Sequence, residues 1–243
     1  KYPLQSFRFE YLKAKIFDTQ GKHEKSKILL QSILKKHPSH SASHLLLAQI
    51  MGAEGGVVQS ILGFQMAIIS NRNSTSLRSA FSGMADVLQG NFEIKREQEG
   101  LKHYKLINNL ISSGIALKED YRAELSLKYP TNTVTDLIFS NMEYSSDHQD
   151  FTMGFYVRFL AEVKRQGLEK GYVLYIMSVI NHATVKKALS TYRSDVERFE
   201  EFSFNYWNKV TNRNKFEVNG VIDERDYIMN KQGVLSAFGK QNK

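Results

Sequence analysis

Apolar side chains recur at helical spacing along most of the chain. Leu29, Leu30, Ile33 and Leu34 share one face of a helix predicted over residues 24–36. That helix stops before Pro38, because the residue ahead of a proline avoids helical geometry. A preceding helix over residues 6–20 ends at Gly21, where glycine takes a positive φ without steric cost. The same grammar returns over 43–52 and 57–69. Further helices are predicted over 117–128, ended by Tyr129-Pro130, and over 134–144, with Thr131 or Thr133 as N-cap. One over 151–166 is stopped by Gly167. The next, 168–181, is apolar all round from residue 172 to residue 180, which marks a core helix.

Val185, Leu189, Tyr192, Val196, Phe199, Tyr206 and Val210 then follow an alternating four-three spacing that only Ser203 interrupts. They predict an apolar seam on a long amphipathic helix over 183–210. Bulky aromatics on the seam favour packing within the molecule; a homodimer through residues 185–210 is the alternative. Phe202, Phe204 and Trp207 lie off the seam beside Tyr206. Two readings are open for them: a core that closes the C-terminal end, or an exposed docking patch made by Phe202, Tyr206 and Trp207. Asn212, Arg213, Asn214, Asn219 and Gly220 signal loops, and the polar stretch 231–243 is expected to fray.

The first half repeats. A shift of 34 residues superposes Ala14 on Ala48, Gly21 on Gly55, Ser26 on Ser60, Leu30 on Phe64 and Ile33 on Ala67. Two antiparallel helices need small residues, a turn glycine and apolar packing at such positions. The pattern resembles the tetratricopeptide repeat family. The first copy matches through Ala14, Gly21, Ser26 and Pro38, with Glu10 where the family usually has Trp. The second matches through Ala48, Gly55, Ser60, Phe64 and Ala67, with Arg72 in the proline place. A third, slipped by one residue, keeps Gly83, Gly90 and Phe92, and then Lys95 and Glu99 break the pattern. The resemblance covers about residues 6–105.

The resemblance implies helix pairs stacked into a right-handed superhelix with a concave groove for a protein or peptide partner. The family's groove positions fall on Tyr11, Lys15 and Asp18, then Leu45 and Gln49, then Ala80 and Met84. This mixed set lacks the Lys/Asn combination that clamps a terminal carboxylate, so an extended or helical peptide, or the protein's own second half, is the expected occupant. The run from Tyr11 to Lys15, continued to Gly21, is also similar to the first repeat in output regions of bacterial response regulators, although no receiver is evident.

Composition narrows the field. Of 243 residues, 42% are hydrophobic and 27 are Phe or Tyr, enough for a sizeable core; there are three prolines and no cysteine, so disulfide and thiol chemistry are excluded. The net charge is +8, and residues 1–40 hold nine basic residues against Glu10, Asp18 and Glu24. A basic end with Tyr2, Phe7, Phe9 and Tyr11 raises nucleic acid as a second partner class, but the interleaved acids argue against it. No apolar run reaches the roughly 20 residues that span a bilayer. Lysine and asparagine richness points to a bacterial cytoplasmic protein, and a start at Lys1 reads as a fragment.

Candidate chemistry is sparse. His37, His40 and His44 have a spacing that invites a metal, yet His37 precedes a proline and no acid completes a ligand set. Gly52, Gly55 and Gly56 fall where the repeat turns, and no Gly-Lys-Ser/Thr follows for a phosphate loop. Asp147, His148 and Asp150 sit where acids favour a helix N-terminus, and acid–base catalysis is the weaker reading. The expectation is an all-α, non-enzymatic interaction module without cofactor or metal. It comprises repeats over 1–110 and a divergent helical region over 111–243.

Overall fold

The computed structural model describes residues 6–70, 74–88, 144, 150–179 and 183–217. These are all helical, with no strand among the described residues. The chain runs through α1 (Ser6–Thr19), α2 (His23–Lys36), α3 (Ser41–Ala53), α4 (Val57–Ser70) and α5 (Ser74–Leu88). After an undescribed stretch come a π-helical segment (Thr152–Val157), α6 (Arg158–Arg165), α7 (Glu169–Met177), α8 (Ala183–Thr191) and α9 (Arg193–Glu217). The predicted helix over 117–128, the one over 134–144 except Tyr144, the third-copy residues Gly90 and Phe92, and the stretch 231–243 expected to fray lie outside the described residues.

The first four helices form two hairpins with the same internal chemistry. In α1–α2, Gly21 takes φ 71° and Lys22 N–H donates to the Phe17 carbonyl at 2.8 Å. In α3–α4, Gly55 takes φ 85° and Gly56 N–H donates to the Met51 carbonyl at 2.9 Å. Each turn thereby satisfies a carbonyl that the helix end would orphan. Each hairpin is then pinned across its interior by the same bond, and in α3–α4 the Ser41 Oγ adds a second by donating to the Ala67 carbonyl at 2.9 Å. Ser26 Oγ donates to the Ala14 carbonyl at 2.8 Å, and Ser60 Oγ donates to the Ala48 carbonyl at 2.7 Å. A hydroxyl reaches the neighbouring backbone only where both residues are small, so the sequence repeat becomes a repeat of one buried bond. Successive helices pack on one another through α5, where Gly83 lets α5 settle against the ring of Phe64.

Helix α4 is the centre. Every residue from Val58 to Ser70 is buried, because α3 and α5 flank it while the π-helical segment and α7 cover it. Tyr172 Oη on α7 donates to Gln65 Oε1 on α4 at 2.6 Å inside this contact. One hydrophobic core runs from Ala48 and Phe64 through Tyr156, Phe159, Tyr172 and Phe199. The two sequence regions therefore share a core among the described residues. A smaller cluster of Ala14, Leu30, Leu34, Leu46, Leu47 and Ile50 joins the two hairpins.

The second part obeys the pattern, with two corrections, one being that Asn212, Arg213 and Asn214, expected in a loop, lie within α9. Gly167 takes φ 62° and turns α6 into α7, whose residues Gly171 to Met177 are buried as the all-apolar run requires. The long helix predicted over 183–210 is two helices instead, broken at Tyr192 between α8 and α9. The bend lets Tyr192 lie outside, with Lys170 Nζ 3.2 Å from its ring centroid. Beyond the break, Val196 and Phe199 drop into the core against α7.

Helices α7 and α9 approach closely at Gly171, where a Cβ would meet the Asp195 carbonyl and the Phe199 Cβ. Gly171→Ala is therefore expected to cost about 1–3 kcal/mol or more by forcing the helices apart. Gly154→Ala, with nothing within 4 Å of the added methyl, is expected to change stability by less than about 1 kcal/mol. Urea denaturation of the two variants checks this; equal stabilities would contradict it.

Candidate partner-binding surface

The predicted groove residues divide. Lys15 on α1 and Gln49 on α3 are exposed, and the repeat makes them equivalent. Tyr11 and Leu45, the other equivalent pair, are half-buried. Asp18 is held by His23, whose Nδ1 lies 2.9 Å from its carboxylate, so it serves the α1–α2 turn. Ala80 (0% exposed) and Met84 (4%) sit in the core and have almost no surface to offer a partner. Their burial follows from α5 packing on α4. What remains is a two-helix face on α1 and α3.

Among the described residues, the helices of the second half do not lie across Lys15 and Gln49. It packs on the second helix of each pair, α7 on α4 and α9 on α2. The joint is aromatic. The wider π-helical turn puts Phe151 and Phe155 in a stack at 4.8 Å, and Phe155 stacks on Trp207 at 5.1 Å. Trp207 also stacks on Phe159 at 4.9 Å, and Tyr206 meets Phe159 edge-on at 5.0 Å. Trp207 is 9% exposed, and Phe202 and Tyr206 are half-buried. The docking patch Phe202, Tyr206, Trp207 is thus the closing core of the C-terminal end. The seam proposed for a homodimer is likewise taken up inside the molecule at Val185, Val196 and Phe199.

The three histidines do structural work at the α2–α3 turn. His44 is fully buried. Its Nε2–H donates to the Pro38 carbonyl at 2.8 Å, which leaves Nδ1 to accept from the Tyr156 hydroxyl at 3.0 Å. His40 lies edge-on to Phe7 and Tyr11, and its Nδ1 is 2.7 Å from Ser43 Oγ. His37 packs on Phe7 at 4.5 Å. No group of three or more His, Asp or Glu among the described residues is placed to hold a metal ion. Asp150 accepts from Met153 N–H at 3.0 Å and so caps the segment that follows; Asp147 and His148 lie outside the described residues. Gly55 and Gly56 form the α3–α4 turn, and Gly52 lies in the last turn of α3.

One buried ion pair had no sequence signal. Lys27 Nζ on α2 donates to Glu54 Oε2, just after α3, at 2.7 Å, and both side chains are 9% exposed. Glu24 Oε1 stands 2.8 Å from the same ammonium. The pair ties one hairpin to the next, and losing Lys27 would leave the buried Glu54 carboxylate without this cation. No residue spacing announces it, because the partners are 27 positions apart.

The chain matches no protein-family model, no curated protein and no solved structure. Among the described residues no helix is long and apolar enough to cross a membrane.

Burial holds the His44 imidazole at about 4, against a weaker upward pull from the Pro38 carbonyl. Burial, then the charges of His37 and Arg8, holds His40 at about 4 as well. A histidine near 6.5 when unfolded binds its proton more readily in the unfolded chain. Stability is therefore complete above about pH 6.5 and falls as pH drops towards 4. His44 alone contributes a loss of about 3 kcal/mol across that window. Urea midpoints measured from pH 7 to 4.5 should fall steeply, and His44→Gln should flatten the slope while leaving the His40 share. A slope unchanged by His44→Gln would contradict the assignment.

Proposed function

We propose that this chain is a non-enzymatic protein–protein interaction module built on tetratricopeptide-like repeats. The observation that carries the reading is the recurrence, 34 residues apart, of one hairpin: the same glycine turn and the same buried serine-to-carbonyl bond at Ser26–Ala14 and Ser60–Ala48. Hairpins that stack in register place equivalent side chains side by side, and a row of equivalent positions is a surface for an extended or helical partner. Here that row is Tyr11 and Lys15 on α1 with Leu45 and Gln49 on α3. The fused helices α6–α9 support it from the opposite side, on α2 and α4. The similarity of the opening run to repeats in response-regulator output regions makes bacterial signal transduction the setting we favour.

The test is affinity capture with the whole chain as bait, washed at high salt and treated with nuclease. A defined protein should survive both treatments, and its retention should fall about tenfold or more with Lys15→Glu combined with Gln49→Arg. Capture that disappears with nuclease would instead make the basic N-terminal region a nucleic-acid surface.

A further inference from the structure

The first hairpin carries an apolar face that the repeat covers elsewhere. Phe9, Leu12 and Ile16 are 65%, 53% and 54% exposed. They recur at i, i+3 and i+7, on the side of α1 opposite Ala14. A shift of 34 carries them to Ser43, Leu46 and Ile50 on α3, which are 0%, 9% and 4% exposed. On α3 the cover is α2, whose Leu30 and Leu34 share a cluster with Leu46 and Ile50. The molecule thus displays in its own interior what fits this face: a helix laying an i, i+4 leucine ridge along the stripe.

Charge then selects among helices. Arg8 and Lys15 border the α1 stripe on one side and Lys13 on the other, all three exposed. The equivalent positions on α3 are Ala42, Gln49 and Leu47, which carry no charge. The helix that covers α3 is basic, with four lysines against one glutamate. A copy of α2 from a second molecule would bring cations onto cations. The complementary ligand has acids where α2 has lysines.

We infer that the Phe9–Leu12–Ile16 face of α1 is a docking site for an amphipathic helix whose leucine ridge is bordered by Asp or Glu. This rests on reading the chain as an interaction module and names the partner chemistry for a face of α1 separate from Leu45 and Gln49.

The probes are two helix-stabilised peptides with one leucine ridge, flanked by glutamates in the first and by lysines in the second, titrated into the whole chain by fluorescence anisotropy. The glutamate peptide should bind about tenfold or more tightly than the lysine peptide. Leu12→Asp should weaken it about tenfold or more, and Lys13→Glu severalfold, most at low salt. Both positions are exposed, and circular dichroism checks that the variants stay folded. Equal binding of the two peptides, no binding of either, or an affinity unchanged by Leu12→Asp would overturn the inference. A dimer of the chain that Leu12→Asp disperses in sedimentation would also overturn it, by making a second copy the occupant. So would a single-stranded oligonucleotide that competes with the peptide. A protein captured at high salt and retained by Leu12→Asp, with no peptide bound, would sink this site alone; absence of any captured protein sinks the interaction-module reading itself.

Discussion

Everything described depends on the close approach of two helices at a pair of small residues. Ala14 against Ser26, and Ala48 against Ser60, let neighbouring backbones come near enough for a serine hydroxyl to reach a helix carbonyl. A larger residue at either place would hold the helices apart and strand a buried carbonyl. With the spacing fixed, the turn glycine sets the sense of the hairpin. The apolar residues one turn away, Leu30 and Leu34 in the first pair, are then aimed at the next. Repetition of this contact makes a stack in which α1 shows the face that α3 hides.

The second half turns this open arrangement into a closed core. It seats aromatic side chains against α2 and α4, so that every residue of α4 beyond Val57 is buried. The His44–Tyr156 bond joins the halves across 112 residues. It is buried, satisfied at both imidazole nitrogens and tuned to the neutral histidine, so the joint is strongest where histidine is neutral. A closed second face leaves α1 and α3 as the surface that carries equivalent exposed positions.

Much of this was legible in the residues. The turn glycines at 21, 55 and 167, the helices of both hairpins and the buried run of α7 follow from local grammar, because a positive φ, a proline and a 3.6-residue period act over a few residues. What local grammar missed depends on distant partners. Nothing near Lys27 announces Glu54, and nothing near His44 announces Tyr156. The break at Tyr192 was hidden because the four-three spacing runs through it unbroken. Ala80 and Met84 went from groove to core because α5 buries them against its neighbours, a contact between helices that local spacing does not encode. The aromatic group at 202–207 suited both a patch and a core, and only the position of Phe155 and Phe159 decided for the core. The stripe Phe9–Leu12–Ile16 emerges only when its exposure is set beside the burial of its equivalents.

The most direct measurement of the central claim is hydrogen–deuterium exchange on the chain with and without a captured protein partner. If stacked hairpins present the binding surface, protection on binding should concentrate in α1 and α3, with α6–α9 unchanged. Protection confined to α6–α9, with α1 and α3 unaffected, would contradict the account and make the repeats a support for a site elsewhere.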